Sequence, residues 1–193
     1  MATGLLEFLN QYTDVTAQDF EVLMSKVEYH SFEKKVKLIE IGEVEKRMYY
    51  VLSGLIRKYF YRGKHEVITH LVKEGGLIGS GVSFLTGTPS PYIVETLEPV
   101  SALSISREKL EEFYNLNKKY ERIGRIMLIH YFLVQENRLL DNIRFTTRER
   151  FIRFMNENLD LVLRVPQKFL ASYLKIKPET FSRLKHLLVK KKS

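Results

Sequence analysis

Three polar side chains near the carboxyl end of the sequence have types and spacing suited to reading base pairs. Glu179 and Arg183 are four residues apart, so a helix places them on one stripe, with Thr180 beside them. Arginine forms a bidentate pair with guanine O6 and N7, and glutamate accepts a hydrogen bond from cytosine N4. We therefore predict that Glu179, Thr180 and Arg183 contact base edges in the major groove of double-stranded DNA.

Further polar residues around this stripe are predicted to lie along the DNA backbone. Such residues position the protein without reading sequence, because every base pair presents the same phosphates. The predicted phosphate contacts are Lys168, Ser172, Lys175, Lys177, His186 and Lys190.

Two short helices are needed to position these side chains. Pro166 suits the first turn of a helix over Gln167–Leu174. After a three-residue break, Pro178 opens a second helix that continues to about Lys190. Apolar residues recur at helical spacing in both helices and form a shared core: Leu170, Ala171, Leu174, Phe181, Leu184 and Leu188. This pattern is typical of a helix-turn-helix.

The positive charge of the sequence is concentrated in the same region. Residues 1–143 contain 18 Lys and Arg and 19 Asp and Glu, whereas residues 144–193 contain 13 Lys and Arg and 4 Asp and Glu. A basic segment of this kind binds polyanions, because each neutralised phosphate releases counterions. The charge alone fits a solvated basic tail equally well, so it is the helix-turn-helix pattern that favours DNA.

The region from Val27 to Ser106 has the pattern of an antiparallel β-roll. Turn-forming residues recur about every nine to twelve residues, and the runs between them are rich in Val, Ile, Leu, Tyr and Phe. The predicted strands are Val36–Ile41, Met48–Leu52, Leu55–Tyr61, Glu66–Val72, Ile93–Leu97 and Ala102–Ile105. The sequence therefore predicts an α+β fold with an N-terminal antiparallel β-roll.

Helical patterns flank the roll on both sides. Residues 2–11 and 17–26 are predicted as short helices, and a third follows the roll over Ser106–Leu116. A fourth helix, over residues 117–144, spans roughly 40 Å and carries two apolar stripes. A fifth starts at Thr146 and continues to about Asn158.

The long helix is predicted to pair with the same helix of a second copy. One of its stripes can pack on its own roll, and the other can form a coiled-coil-like seam. The seam residues are Ile126, Ile129, Leu133, Leu140 and Ile143. We expect a homodimer; the alternative is a long helix buried within a monomer, for which the sequence offers few covering helices.

The sequence contains no pattern typical of an enzyme or a metal site. It has no cysteine, which excludes disulfides and thiolate ligands. His65 and His70 would lie on opposite faces of a strand, and the glycine-rich run Gly75–Gly81 is neither a P-loop nor a dinucleotide fingerprint. We expect no catalytic residues, no metal and no cofactor. A cupin-like metalloenzyme on the same roll would need three or four converging His or Glu ligands.

The sequence also lacks signals for a membrane. It has no apolar run near the roughly 18 residues of a membrane span. Residues Met1–Phe8 carry no basic leader. We therefore expect a cytoplasmic protein that makes no membrane contact.

Three segments of the sequence resemble the Crp/Fnr family of transcription regulators. They are Leu38–Glu43, Met48–Arg57 and Pro178–Leu184. The resemblance implies that a dimer binds a twofold operator, that it regulates transcription, and that RNA polymerase is a partner. Glu179 and Arg183 match the family's base-reading Glu and Arg.

The resemblance also implies a division of the chain. Residues 1–116 correspond to a sensor domain of the cyclic-nucleotide-binding type, 117–144 to the dimerisation helix, and 145–193 to the helix-turn-helix DNA-binding domain. In the family a β-hairpin wing usually follows the second helix. The sequence ends at Ser193, so we expect this domain to have no wing.

The roll departs from the family at the residues that bind a cyclic nucleotide. Members that do so carry a Gly-Glu pair, followed some ten residues later by Arg-Ser/Thr-Ala; the Glu holds the ribose and the Arg the phosphate. This sequence has Gly79-Ser80 and then Thr88–Tyr92 instead. A buried phosphate without a cation is strongly disfavoured, so we expect cyclic AMP not to bind at physiological levels.

The missing Glu and Arg leave the effector unidentified. We expect a pocket in the roll that either binds an apolar or neutral molecule or binds no effector. Its candidate residues come from the roll and the long helix: Ile78, Gly79, Ser80, Phe84, Ser90, Tyr92, Met127, Tyr131 and Gln135. The alternative function is a module that binds a small molecule or a protein and contacts DNA only non-specifically.

The turn of the helix-turn-helix also departs from the family. Lys175 stands where Gly is usual, Lys177 where a Ser or Thr N-cap is usual, and Pro178 where the first base-region Arg is usual. We expect Lys175 to be left-handed and the lost cap to cost about 1 kcal/mol. Both lysines would gain attraction from nearby phosphate.

Overall fold

The computed structural model describes residues 3–11 and 13–190, with the side chains of residues 4–11 and 13–185. The helices are α1 (Thr3–Asn10), α2 (Ala17–Met24), α3 (Gly81–Thr86), α4 (Arg107–Leu116), α5 (Lys118–Arg144), α6 (Thr147–Glu157), α7 (Leu159–Arg164), α8 (Gln167–Tyr173) and α9 (Pro178–Lys190). The strands are β1 (Glu28–Phe32), β2 (Lys37–Ile39), β3 (Arg47–Ser53), β4 (Ile56–Arg62), β5 (His65–Val72), β6 (Leu77–Ile78), β7 (Ile93–Thr96) and β8 (Val100–Ser106). The predicted α+β fold is confirmed.

Two four-stranded sheets form the β-roll. Their strand orders are β1-β8-β3-β6 and β2-β7-β4-β5. In the first sheet β8 pairs antiparallel with both β1 and β3, and in the second β7 pairs antiparallel with β2 and β4. One apolar cluster drawn from both sheets is the core of the roll: Ile39, Tyr49, Val51, Ile56, Ile78, Val94, Val100 and Ala102.

The sequence analysis missed three short elements of the roll. Strand β1 lies at the edge of its sheet and is mostly exposed, so it lacks the apolar run that marks the other strands. Strand β6 has only two residues. Helix α3 has six, and it ends at Gly87, whose φ of 73° is left-handed. Elements this short leave little periodicity to detect.

A second apolar cluster joins the N-terminal helices to the helices that follow the roll. Its members are Leu5, Leu9, Val15, Tyr50, Leu103, Phe113, Tyr120 and Ile123. The rings of Phe113 and Tyr120 are stacked with centroids 4.4 Å apart. The Tyr114 ring packs directly on the backbone of α5 at Gly124, where a Cβ would lie 1.9 Å from the Tyr114 hydroxyl oxygen.

The chain forms two compact units. The first contains residues 1–60 and 70–132, and the second contains residues 61–69 and 133–193. The boundary falls within α5, and the tip of the β4–β5 hairpin belongs to the second unit. The division at residues 116 and 144 stays a prediction from the sequence.

The second unit has its own apolar core. Buried side chains come from each of its C-terminal helices: Phe151, Phe154, Leu161, Leu170, Ala171, Phe181 and Leu184. The rings of Phe151 and Phe181 meet edge to face with centroids 5.1 Å apart. The Thr146 side chain accepts from the Glu149 amide, and the Glu149 side chain accepts from the Thr146 amide, so a capping box starts α6.

Candidate nucleic-acid interface and effector site

The predicted helix-turn-helix is present as α8, a tight turn and α9. The turn is a Schellman motif, in which the Lys175 amide donates to Ser172 O at 3.0 Å and the Ile176 amide donates to Ala171 O at 2.9 Å. This motif needs a left-handed residue after the helix, and Lys175 has a φ of 58°. The left-handed conformation that we predicted for Lys175 is therefore observed.

Helix α9 separates apolar from polar side chains. Phe181 and Leu184 are buried against the core of the second unit. Glu179 and Arg183 are exposed, and Thr180 is half-buried. The structure thus brings the three predicted base-reading residues to the solvent side of one helix, at its N-terminal end.

The predicted phosphate contacts fall into three groups. The side chains of Lys168, Lys175 and Lys177 are exposed around the turn. The side chains of His186 and Lys190 lie outside the described residues. Ser172 is half-buried and is hydrogen-bonded within the second unit.

Ser172 binds the edge of strand β5. Its Oγ accepts from the Ile68 amide at 2.9 Å and donates to Glu66 O at 2.9 Å. Because β5 is the last strand of its sheet, these two groups have no neighbouring strand, and the serine hydroxyl takes its place. The role of Ser172 in this structure is to hold the hairpin tip against α8.

A second contact fastens the same hairpin. The guanidinium of Arg138 lies 4.1 Å from the ring centroid of Tyr173, and its Nη1 donates to Thr69 O. Arg138 comes from α5 and Tyr173 from α8, so three elements of the second unit meet here. Neither contact was indicated by local sequence, since the partners are distant along the chain.

Helix α5 exposes an apolar stripe. Ile129, Phe132, Leu139 and Ile143 follow one another at steps of three, seven and four residues and are between 49% and 74% exposed. Of the predicted seam, Ile129, Leu133 and Ile143 are exposed, whereas Ile126 and Leu140 are half-buried. The exposed apolar surface of α5 therefore contains three of the five predicted seam residues and also Phe132 and Leu139.

The roll buries most of the predicted effector-site residues. Ile78, Ser80, Phe84 and Ser90 are nearly inaccessible to solvent. A Cβ on Gly79 would lie 2.6 Å from Met48 Sδ and 3.2 Å from Arg47 O, so β6 ends too close to β3 for a side chain.

The three candidate effector-site residues on the long helix have different neighbours. The Tyr131 hydroxyl oxygen lies 3.9 Å from the position of a Cβ on Gly81, and burial, with a smaller effect from Tyr92, raises the pKa of Tyr131. These contacts place Tyr131 with the roll residues of the site. Met127 instead packs against the cluster of Phe113 and Tyr120. Gln135 belongs to the second unit.

Sequence reasoning missed two charged residues inside the roll. Glu45 accepts from the Ser80 amide at 3.1 Å and from the Arg47 amide at 3.2 Å. Lys58 Nζ donates to Gly79 O at 3.3 Å and lies 5.2 Å from the ring centroid of Tyr92. A cation therefore lies near Gly79 although the family's Arg is absent from the sequence. Lys58 is in β4, 21 residues from Gly79 along the chain, so no local motif reveals it.

Residues 29–117 match the cyclic nucleotide-binding domain family. No curated protein matches the chain in sequence. FixK2 from Bradyrhizobium japonicum has a similar structure, with a TM-score of 0.72 and 20% identity over 86% of this chain and 85% of that chain. For the catabolite activator protein of Thermus thermophilus the TM-score is 0.57, with 19% identity over 93% of this chain and 86% of that chain. The chain is Crp/Fnr-like in fold.

A third structure agrees with this result. The c-di-GMP-responsive global regulator CLP of Xanthomonas campestris has a TM-score of 0.63 and 17% identity, covering 91% of this chain and 93% of that chain. The Crp/Fnr-like fold expected from the sequence is confirmed.

The described part of this Crp/Fnr-like chain contains neither a membrane-spanning helix nor a cluster of metal ligands. Among the residues that the structure describes, no helix is long and apolar enough to cross a membrane. Over the same part of the chain, no group of three or more His, Asp or Glu side chains is placed to hold a metal ion.

Proposed function

We propose that the chain is a transcriptional regulator of the Crp/Fnr type, which binds a twofold DNA operator as a homodimer. One observation carries the proposal: Glu179 and Arg183 are exposed on α9 while Phe181 and Leu184, on the same helix, are buried. A helix anchored in this way can enter the major groove without giving up its packing. The excess of positive charge in residues 144–193 supports the same conclusion.

The solved structures give independent support for a regulatory role. CLP is described as a c-di-GMP-responsive global regulator, and the Thermus thermophilus protein as a catabolite activator. Their fold is shared by this chain. By analogy we place the protein with the DNA, in the cytoplasm, with RNA polymerase as a partner.

The exposed stripe of α5 supports a dimer. Four large apolar side chains on one face of a helix are costly to leave in water, and a second copy offers the same stripe in return. Pairing through α5 would present two copies of α9. For a twofold operator their recognition helices must match half-sites about 34 Å apart.

The effector site does not favour cyclic AMP. Ser80 and Ser90 stand in the region of the family's nucleotide-binding Glu and Arg, and Lys58, a cation in that region, already donates to Gly79 O. The Glu45 carboxylate beside Ser80 would repel a cyclic phosphate. We expect titration calorimetry with cyclic AMP at micromolar concentration to give no binding heat, and saturable binding there would refute this part of the proposal.

Selection of DNA by the full chain tests the regulator directly. Fragments retained from a genomic library at low salt should share an inverted repeat. Arg183→Ala should weaken binding to that repeat by about 1–3 kcal/mol and relax the preference at one position of each half-site. Arg153→Ala is the matched control, because Arg153 is an exposed arginine of α6 in the same unit.

Two results would separate this function from its alternative. Enrichment of one sequence together with a selective effect of Arg183→Ala supports the regulator. Equal retention of all fragments, with equal effects of Arg183→Ala and Arg153→Ala, would instead identify a module that contacts DNA non-specifically. Both variants remove one positive charge, so only base readout distinguishes them.

A further inference from the structure

One peptide group in the roll is bound at both ends by buried charged side chains. The carbonyl oxygen of Gly79 accepts from Lys58 Nζ at 3.3 Å, and the amide of Ser80 donates to Glu45 Oε2 at 3.1 Å. These two atoms belong to the same peptide bond and point in opposite directions. The ammonium and the carboxylate therefore lie on either side of the peptide and fix its orientation.

All three side chains at this point are removed from solvent. Glu45 is 5% exposed, Lys58 4% and Ser80 1%. Burial raises the pKa of Glu45, while the Ser80 and Arg47 amides and the charge of Lys58 act in the opposite direction. Because a buried charge needs a partner, the pair is stable only while each member stays close to the peptide.

The Glu45 backbone extends the same network. Its amide donates to Ser83 Oγ at 2.8 Å, and Ser83 Oγ donates to Thr88 O at 2.6 Å. Two residues earlier in the same loop, the carbonyl oxygen of Glu43 accepts from the Ser90 amide at 2.7 Å. The loop that carries Glu45 thus holds the segments around both Ser80 and Ser90.

The network leaves one polar group unused. Within the described part of the chain, the buried hydroxyl of Ser80 has no hydrogen-bond partner. This hydroxyl belongs to the residue whose amide already binds the Glu45 carboxylate, so Ser80 carries a second donor of the kind a carboxylate accepts from. The donors therefore outnumber what the Glu45 carboxylate uses.

We propose that the Ser80 and Arg47 amides form a carboxylate site inside the roll, that Lys58 supports this site from the opposite side of the Gly79–Ser80 peptide, and that the chain's own Glu45 occupies it. The Gly79–Ser80 turn is then held in one conformation without a bound anionic effector. A small free carboxylate takes the same place when the Glu45 side chain is shortened. The proposal rests on the proposed function only in treating this turn as part of the effector site.

Amide hydrogen exchange at Ser80, followed by NMR on the full chain, tests the site. Glu45→Ala removes the equivalent of one acetate ion, so exchange at the Ser80 amide should quicken at least about tenfold. Sodium acetate should restore slow exchange in this variant. Acetamide, which has the shape of acetate without its charge, and sodium chloride should not.

Matched variants separate this site from general loosening of the roll. Glu43→Ala removes an exposed carboxylate of the same loop, whose Oε2 accepts from the Glu40 amide, and should leave Ser80 exchange unchanged. Glu45→Gln keeps an acceptor for the amide and provides a test if Glu45→Ala fails to fold; its Ser80 amide should exchange faster than in the native chain and ignore acetate. Adding Lys58→Gln to Glu45→Ala should weaken the acetate effect at least about tenfold.

The proposal is overturned if Ser80 exchange is native-like in both Glu45 variants. It is also overturned if acetamide protects Ser80 as well as acetate does, since the site would then select shape rather than charge. The measurement uses no DNA. A chain that retained no DNA would contradict the proposed function and leave the Glu45 result unaffected.

Discussion

The roll and the helix-turn-helix use charged side chains in opposite ways. Four charged side chains of the roll are buried and hydrogen-bonded to one another or to the backbone: Glu45, Lys58, Arg57 and Glu95. On α9 and in its preceding turn, Glu179, Arg183, Lys175 and Lys177 are exposed. Their sequence letters alone do not distinguish the two sets. The difference lies in what surrounds each charge.

This contrast separates charges that shape the protein from charges that meet a partner. A buried ion loses its hydration and must recover that free energy from fixed neighbours, so its geometry is set before any ligand arrives. An exposed ion keeps its hydration and can exchange water for phosphate or a base edge. We therefore expect mutations in the roll to change stability and mutations on α9 to change DNA binding.

The largest effect is expected when a glutamate is replaced by glutamine, once in the roll and once, in a separate variant, on α9. In the roll, Glu95 accepts from Arg57 Nη2 at 3.2 Å and from the Tyr59 hydroxyl at 2.9 Å. Glu95→Gln removes the buried carboxylate that Arg57 and Tyr59 contact and should lower the free energy of unfolding by about 3 kcal/mol. The same change at exposed Glu179 should alter it by less than about 1 kcal/mol.

Urea unfolding of both variants provides the measurement. Equal losses of stability would break the distinction between the two regions. Operator binding should show the reverse order, with Glu179→Gln having the larger effect on base preference.

A smaller effect is expected at Ser172, which was predicted to contact phosphate but holds the hairpin. Ser172→Ala leaves the Ile68 amide and Glu66 O without their partner and should lower stability by about 2 kcal/mol. Exposed Lys168→Ala should leave stability within about 0.5 kcal/mol and reduce the salt slope of DNA binding by about 1. A reduced slope for Ser172→Ala would show that its hydroxyl reaches phosphate after all.

Lys177→Ser should shift stability and binding in opposite directions. A serine caps α9 and should raise the free energy of unfolding by about 1 kcal/mol. The lost charge should weaken operator binding, more so at low salt. Lys177→Ala is the control that removes the charge without adding a cap. Unchanged affinity in both variants would remove the phosphate role of Lys177.

The smallest effect is expected from Asp19, a carboxylate at the start of α2. Hydrogen bonds from Lys119 and Thr16 lower its pKa from 3.8 to about 2. Because folding lowers this pKa, Asp19 contributes stability above pH 3.8 and loses it as the pH falls to about 2. Urea unfolding should show the native chain losing about 1 kcal/mol more than Asp19→Asn over this interval. An equal loss of stability in the native chain and in Asp19→Asn over this pH interval would contradict the prediction.

The helix-turn-helix could be predicted from the sequence because its partners are close along the chain. Leu170 and Phe181 are 11 residues apart, and the periodicity of each helix shows which side is buried. The conformation of Lys175 also follows from local geometry, since a Schellman turn requires a left-handed residue at that position.

The buried hydrogen bonds of Glu45 and Ser172 could not be predicted in the same way. Glu45 is 35 residues from Ser80, and Ser172 is 104 residues from Ile68. A glutamate in a loop and a serine on a helix face both resemble solvated residues when their neighbours in space are unknown. The exposure of Phe132 and Leu139 has a similar cause: apolar residues surround much of α5, and the sequence does not say which of them face outward.

Under the proposed pairing through the apolar stripe of α5, the amount of protein in the cell would itself regulate its activity. If protomers pair through Ile129, Phe132, Leu139 and Ile143, dimers at low abundance grow with the square of protomer concentration. Occupancy of a promoter would then respond more steeply than synthesis of the protein itself. Gene dosage and turnover would act as inputs alongside any molecule that enters the roll.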